Sequence, residues 1–289
     1  MSESVIADFV GRFKTSAASR PDPVQGRILL SKKRLVLAID GDKLTIPLSQ
    51  IFDVAVGKVP RDFEGFFDST VTIAFRKGDH RHIAAVEASD EKIEKFSTVL
   101  FKALLNGTTM MVKHPAQIGG RVTGESFQEA KLVLKRRKVD FRGASSSFTV
   151  DLSTVTNFEE TNREIAGGTR QVLSVRHMDQ GQAVTSLAAV DSARKMSLLG
   201  RYLRLEYSDI VEELEDVDLS EEETELLVAV YSSSAGVSLA SVLDKEPSQV
   251  TMMLNDLIEQ ELVRDGGEST ELTAKGRIIV SSKLEDVNV

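Results

Sequence analysis

The sequence predicts an α+β multidomain chain: two tandem, mostly β domains, each closed by one helix, and then an α-rich module. Three observations predict it. A pattern occurs twice, about a hundred residues apart; each copy is rich in hairpin signals; and the composition turns acidic near Asp218. A period that long exceeds the roughly 20 to 50 residues of a solenoid unit, so it reads as a duplicated domain.

The first copy opens on Leu29-Leu30 ahead of the basic cluster Lys32-Lys33-Arg34. A polar turn then leads to Ile46-Pro47-Leu48-Ser49, followed by Ile51 and Val54. The second opens on Leu132-Val133 ahead of Lys135-Arg136-Arg137-Lys138. A Ser-rich turn leads to Val150-Asp151-Leu152-Ser153, with Val155 and Phe158 at the same spacings. In this alignment the register slips by one residue at the turn. Arg34 to Ile39, the turn Asp40-Gly41-Asp42 and Lys43 to Leu48 predict a hairpin, because an Asp-Gly step tolerates positive φ. Thr70 to Phe75, Lys77-Gly78-Asp79 and Arg81 to Val86 predict a second. Each copy ends in a helix, Ser89 to Leu105 and Asp191 to Tyr207. In the first, Ser89 is the expected side-chain cap, and Ile93, Phe96, Leu100 and Leu104 form one apolar face. Antiparallel strands closed at one end by an amphipathic helix have the order of a pleckstrin-homology-like β-barrel, predicted for residues 1–112 and 126–211 with 113–125 as linker.

The third module, 218–289, follows an acidic linker at 212–217. Ser220 and Glu223 have capping-box spacing and open a helix through Leu226, Leu227 and Val230. Ser238 to Leu243 is a short second helix. Pro247 starts a third, whose predicted buried stripe is Val250, Met253, Leu254, Leu257 and Ile258. Val263 to Leu272, broken by Gly266-Gly267, reads as a wing, and Thr273 leads into a last helix with Ile278, Ile279 and Leu284. This is a winged-helix order.

The formal charge of -8 is unevenly held. Residues 218–289 carry 5 Lys and Arg against 15 Asp and Glu, a net -10, which leaves +2 for the rest. Glu212 to Glu223 holds eight acids in twelve residues, a run that marks a solvated boundary. A winged helix suggests DNA, yet no Lys or Arg lies between Lys245 and Arg264, while Glu246, Asp256, Glu259 and Glu261 would face a polyanion. Without phosphate anchors, Gln249 and Asn255 have nothing to hold them in register with bases. A protein-binding module is therefore expected, with no nucleic-acid partner; a winged-helix DNA-binding transcription regulator is the alternative.

Cysteine is absent, which excludes disulfides and thiolate zinc sites and suits a reducing cytoplasm. No apolar run could span a bilayer, and Asp8, Arg12 and Lys14 interrupt any signal-like core, so a soluble, intracellular protein without an integral membrane segment is expected. Gly-rich phosphate loops, GxSxG and HExxH are missing, and the Gly pairs at 119–120 and 167–168 read as loops. His80 and His82 share one side of a strand without a matched third ligand. No catalytic residue, metal or cofactor is assigned. The clusters Lys32, Lys33, Arg34 and Lys135, Arg136, Arg137, Lys138 suit either an anionic contact, with lipid phosphates or an acidic protein surface, or hairpins charged against edge pairing.

Gln25-Gly26-Arg27 to Val54, the echo Lys131 to Phe158 and the acidic C-terminal module together resemble the archaeal taxis protein family CheF, over the whole chain. The resemblance implies a non-enzymatic cytoplasmic adaptor at the base of the archaellum. It would link the phosphorylated response regulator CheY to the archaellum switch complex, with CheC- and CheD-type proteins as further partners. In that setting Ile278 and the tail Leu284, Glu285, Asp286 and Val287 are expected to dock the regulator. The paired barrels would face the motor or a second copy of the chain, a homodimer.

Overall fold

The computed structural model describes residues 3–18, 22–59, 61–63, 69–143, 147–165, 167–179, 182–215, 217–232, 238–265 and 270–287, with the side chains of 62, 213, 215 and 281–287 left aside. Two compact units emerge. One comprises Met1–Met110, Ala130–Leu134 and Val190–Leu205; the other comprises Met111–Glu129, Lys135–Ala189 and Glu206–Val289. The secondary structure is α+β, with antiparallel sheets.

The first sheet contains β1 (Val5–Thr15), β2 (Val24–Ser31), β3 (Arg34–Ile39), β4 (Asp42–Pro47), β5 (Ile51–Val56), β6 (Thr70–Lys77) and β7 (His80–Glu87), in the order β4-β3-β2-β1-β7-β6-β5. Both predicted hairpins are present, with Gly41 and Gly78 at φ 78° and 60° in their turns. Alternation does the sorting: Ile28, Leu30, Leu35, Leu37 and Ile46 all face inward and are buried. Strand β1 was not foreseen, because its apolar residues do not alternate cleanly and Val10 remains exposed. Its Gly11 pairs with Gly26 of β2, and a Cβ on Gly26 would stand 2.3 Å from the Ala38 carbonyl oxygen. Only glycine lets the backbones approach so closely there.

Helix α1 (Asp90–Leu105) buries Ile93, Phe96, Leu100 and Leu104, and the Phe96 ring meets Phe9 edge-on at 5.2 Å. Each such fully buried side chain contributes about 1.5–3 kcal/mol relative to exposure. The Ser89 side chain makes no cap bond, contrary to expectation. The Ser89 carbonyl accepts from the N–H groups of Lys92 and Ile93 instead, while Asp90 and Glu91 supply negative charge at the helix start.

The second sheet contains β8 (Thr109–Ile118), β9 (Arg121–Val122), β10 (Gln128–Lys135), β11 (Lys138–Gly143), β12 (Ser147–Asp151), β13 (Val155–Ile165), β14 (Gly168–Asp179) and β15 (Gln182–Ala189). Its order, β12-β11-β10-β8-β15-β14-β13, repeats that of the first sheet strand for strand, with β9 added beside β8. The stretch expected to be a linker, 113–125, thus carries the end of β8 and the whole of β9.

The one-residue slip in the sequence alignment disappears. Buried Ile28 and Leu30 match Leu132 and Leu134, Leu48 matches Leu152, and Ile51 matches Val155, all at one offset. Pairing Leu29 with Leu132 would have turned β10 inside out, since a one-residue shift moves every side chain to the opposite face. The Leu48 N–H donates to the Lys33 carbonyl at 2.8 Å, and Leu152 does the same to Arg137 at 2.8 Å.

Neither sheet closes into the barrel that was expected. The ladder ends at β4 and β5 in one and at β12 and β13 in the other, and a 3-10 turn joins each pair, Leu48–Gln50 and Leu152–Thr154. Pro47 has no N–H with which to lengthen a ladder, and the Asp151 carboxylate accepts from the Ser153 N–H at 3.1 Å. Both corners are committed to a turn rather than to cross-pairing.

Helix α2 spans Ala193–Glu215, so the acidic linker is helical through Glu215. In the first unit, Tyr202 is fully buried with its ring 5.6 Å from Phe101. Arg201 clasps both Asp53 carboxylate oxygens at 3.2 and 3.1 Å, and Arg194 donates to the Ser49 carbonyl at 3.0 Å.

In the second unit follow α3 (Glu221–Ser232), α4 (Leu239–Leu243), α5 (Pro247–Glu259), β16 (Val263–Asp265), β17 (Thr270–Leu272) and α6 (Ala274–Val287). The capping box at α3 is reciprocal: the Ser220 N–H donates to Glu223 at 2.8 Å and the Glu223 N–H to Ser220 Oγ at 3.2 Å. Leu226, Leu227, Val250, Met253, Leu257, Leu262, Leu272 and Ile279 make the core. Ile258, predicted to lie in the stripe, is 41% exposed, because it follows Leu257 around the helix onto the outer face. The Gly266-Gly267 break lies outside the described residues.

Candidate functional site

The two basic clusters occupy corresponding hairpins. In the first sheet Lys32 and Lys33 form the turn between β2 and β3, where Ser31 Oγ accepts from the N–H groups of Lys33 at 3.2 Å and Arg34 at 3.0 Å. Arg34 Nε donates to Glu3 at 2.7 Å. Hydrogen bonds from Ser31 and Arg34 hold the Glu3 carboxyl below its ordinary range. In the second sheet Arg136 and Arg137 form the turn, with Arg137 at φ 56° and its N–H donating to Glu206 at 2.8 Å.

Lys135 pairs with Asp140 at 2.7 Å and Lys138 with Asp151 at 3.0 Å. Asp140 is buried. Burial pushes its carboxyl up, but hydrogen bonds from Lys135, Thr149 and Arg142 outweigh that and hold it below the usual value. Arg34, Lys135 and Lys138 are thus engaged with carboxylates of the chain, whereas Lys32, Lys33 and Arg136 are exposed and make no ion-pair contact with a carboxylate among the described residues, Lys33 acting on Glu3 only through its charge. These three are the cluster cations best disposed to meet an external anion.

In the third module, α5 turns Met252, Asn255, Asp256 and Glu259 to solvent at positions i, i+3, i+4 and i+7, one face of a helix. Met252 is 61% exposed and Val242 on α4 is 51% exposed. Apolar groups among carboxylates, without a cation, suit a protein surface rather than phosphates. The nearby cations are engaged: Lys245 pairs with Glu222 at 2.7 Å, Arg264 with Glu271 across the β16–β17 hairpin, and Lys275 with Glu261. The hydrogen bond from Lys275 holds the Glu261 carboxyl low.

Of the residues expected to dock a regulator, Ile278 is 5% exposed and so is turned away from solvent. Leu284, Glu285, Asp286 and Val287 lie in the last turns of α6, and their side chains are outside the described residues. His80 and His82 sit with ring centroids 6.4 Å apart, His82 beside Phe75 at 5.7 Å. No group of three His, Cys, Asp or Glu side chains suited to a metal occurs among the described residues.

One polar constellation escaped the sequence reading. Inside the second unit, Ser186 Oγ lies 2.8 Å from His114 Nδ1 and 2.9 Å from His177 Nε2, and the His114 ring stacks on Phe148 at 4.0 Å. His177 and Ser186 are 2% and 3% exposed. Burial holds both imidazoles below their ordinary value; for His114 it prevails over Asp179 and Glu125, and for His177 the neighbouring His114 adds to it. His177 and Ser186 are buried and His114 is half-buried against the Phe148 ring, so the trio serves as a polar part of the core. The inward alternation Leu173, Val175, His177 was the signal that could have revealed it.

The family model for archaeal chemotaxis signal transduction system protein F matches residues 5–209, and one for a domain of unknown function matches residues 218–285. Taxis protein CheF2 of Halobacterium salinarum is 48% identical over 289 residues, covering 100% of both chains. Taxis protein CheF1 of the same organism is 31% identical over 300 residues, covering 99% of each. No helix among the described residues is long and apolar enough to cross a membrane.

Proposed function

The chain belongs to the archaeal taxis family CheF, and from that premise we propose that it is a non-enzymatic chemotaxis adaptor that carries the signal of phosphorylated CheY to the archaellum switch complex. A chemotaxis signalling role follows from the family; the partners and the route are the proposal. The two sheets with their helices are pleckstrin-homology-like domains, the second beginning with β8 rather than at residue 126, and 218–289 is a winged helix. The matching strand orders and the gap between family matches at 209 and 218 support that division.

One observation carries the reading: the surface of the third module, where α5 would read DNA, pairs exposed Met252 and Ile258 with Asp256 and Glu259 and offers no cation. Such a surface repels a phosphate backbone and suits a partner with apolar pockets and basic residues. Docking of CheY takes place there and at the end of α6, Leu284 to Val287. The sheets, through Lys32, Lys33 and Arg136, face the switch complex at the cytoplasmic side of the motor, with CheC- and CheD-type proteins as further partners.

The test is binding of phosphorylated CheY to the full chain, to a chain ending at Lys283, and to Met252→Glu. Truncation at Lys283 spares the buried Ile278, Ile279 and Val280, so the module keeps its core. The expected result is at least tenfold weaker binding for both variants, with little dependence on salt. Unchanged affinity in both would overturn docking through this module, and sequence-selective attachment to duplex DNA at physiological salt would overturn the adaptor reading itself.

A further inference from the structure

The second unit holds a cavity of about 340 Å³ whose polar lining, among the described residues, is cationic and neutral, without a carboxylate. That sign is unusual in a chain of net charge -8. Its floor is a row across four adjacent strands. Asn157 pairs with Arg176, Arg176 with Thr185, and Thr185 with Gln117, so β13, β14, β15 and β8 each contribute one polar side chain in register. Directly opposed residues have Cβ atoms about 4.5–5.5 Å apart, close enough for neighbours in the row to share one bound group. The row faces away from the core, since the next residues, His177 and Ser186, point inward and are buried. Tyr231 of α3 and Arg277 of α6 complete the wall.

Neither guanidinium is paired with a carboxylate among the described residues, and Arg277 carries a buried Nε without a hydrogen-bond partner there. A guanidinium presents its donors as a planar fork matched to oxyanions, and a buried donor left unpaired is costly. Amide and hydroxyl groups from Asn157, Thr185 and Gln117 would meet the remaining oxygens. We propose that this cavity is a binding site for a phosphate-bearing small molecule, with Arg176 and Arg277 clamping the phosphate. The volume lies at the low end of the roughly 300–1,000 Å³ of ligand pockets and exceeds the needs of bare phosphate, so the organic part rests beside the Tyr231 ring. This goes beyond the adaptor reading: it adds a small-molecule input on the helix whose far end is proposed to dock CheY.

The experiment is a titration of the full chain with inorganic phosphate and, separately, adenosine 5′-monophosphate, at constant ionic strength maintained with chloride and followed by amide chemical shifts. CheY is absent, so failure here is distinct from failure of the docking reading. Saturable shifts centred on Asn157, Arg176 and Thr185 are expected. Arg176→Gln, an exposed position that leaves the fold intact, and Arg277→Gln should each weaken binding at least tenfold, with Arg163→Gln, outside the cavity, as the unchanged control. Tighter binding of the nucleotide than of phosphate is expected, from the organic part beside Tyr231; equal binding would overturn the assignment of a phosphate-bearing small molecule. Linear, unsaturated shifts, or less than twofold change in both cavity variants, would overturn the site.

Discussion

The two sheets share one strand order but differ in what they bury. Register equates Phe75 with His177, since each pairs with the first residue of the next strand in the order, Ile51 or Val155; it likewise equates Ala84 with Ser186. The first copy fills that space with an aromatic ring and a methyl group, whereas the second uses two imidazoles bridged by a hydroxyl. Topology therefore survives a change in the polarity of its interior, provided that the polar groups satisfy one another. A buried polar group is tolerated when bonded and costly when not.

Exchange of these residues gives the largest expected effect. Phe75→His places an imidazole across from His82 and diagonal to Ala84, where no hydroxyl awaits it, and should cost about 3 kcal/mol or more in urea unfolding. His177→Phe should cost about 1 kcal/mol, because Ser186 keeps His114 as a partner. Equal costs would mean that the copies do not differ as described.

The buried carboxylate comes next. Asp140 stands where the first copy has Val36, and Asp140→Ala should lose about 1–3 kcal/mol by orphaning Thr149 and the bonded cations. Because its folded carboxyl is held low, that stability is present above its ordinary value of 3.8 and lost as pH falls below it. An unfolding series from pH 5 to pH 2.5 tests both statements.

Histidine titration sharpens the contrast at milder pH. His114 and His177 are lowered, so the unfolded chain binds protons more readily than the folded one below about 6.5. Their stabilisation is complete above that value and declines as pH drops through it toward the lower folded value, tempered by Asp179 and Glu125. Amide exchange in β14 and β15 should accelerate severalfold between pH 7.5 and 5.5 after correction for intrinsic rates, more than in β6 and β7. His177→Phe should flatten the difference. The smallest effect belongs to the exposed hairpin cations, where Lys32→Ser and Arg136→Ser should each change stability by less than about 0.5 kcal/mol.

Much of this was legible from residue spacing. The Asp-Gly hairpin, the Ser220–Glu223 capping box, Pro247 at a helix start and the apolar face of α1 depend on residues within a few positions of each other, and all appear in the structure. The basic clusters were legible as hairpin charge, though not the pairing of Arg34 with Glu3 or Lys135 with Asp140. Strand β1 was hidden because its irregular alternation is stabilised by partners on β2 and β7 that sequence order does not announce.

By itself the sequence determined the duplication, the acidic change near Asp218 and the hairpins and helices, since those follow from local backbone preference and periodicity. Tertiary structure alone decided that His114, His177 and Ser186 meet, that Asn157, Arg176, Thr185 and Gln117 form one row, and that Ile278 turns inward. Such contacts join residues far apart in the chain. They are set by cross-strand register, where a single residue of shift exchanges inside for outside, and no short-range pattern encodes that choice.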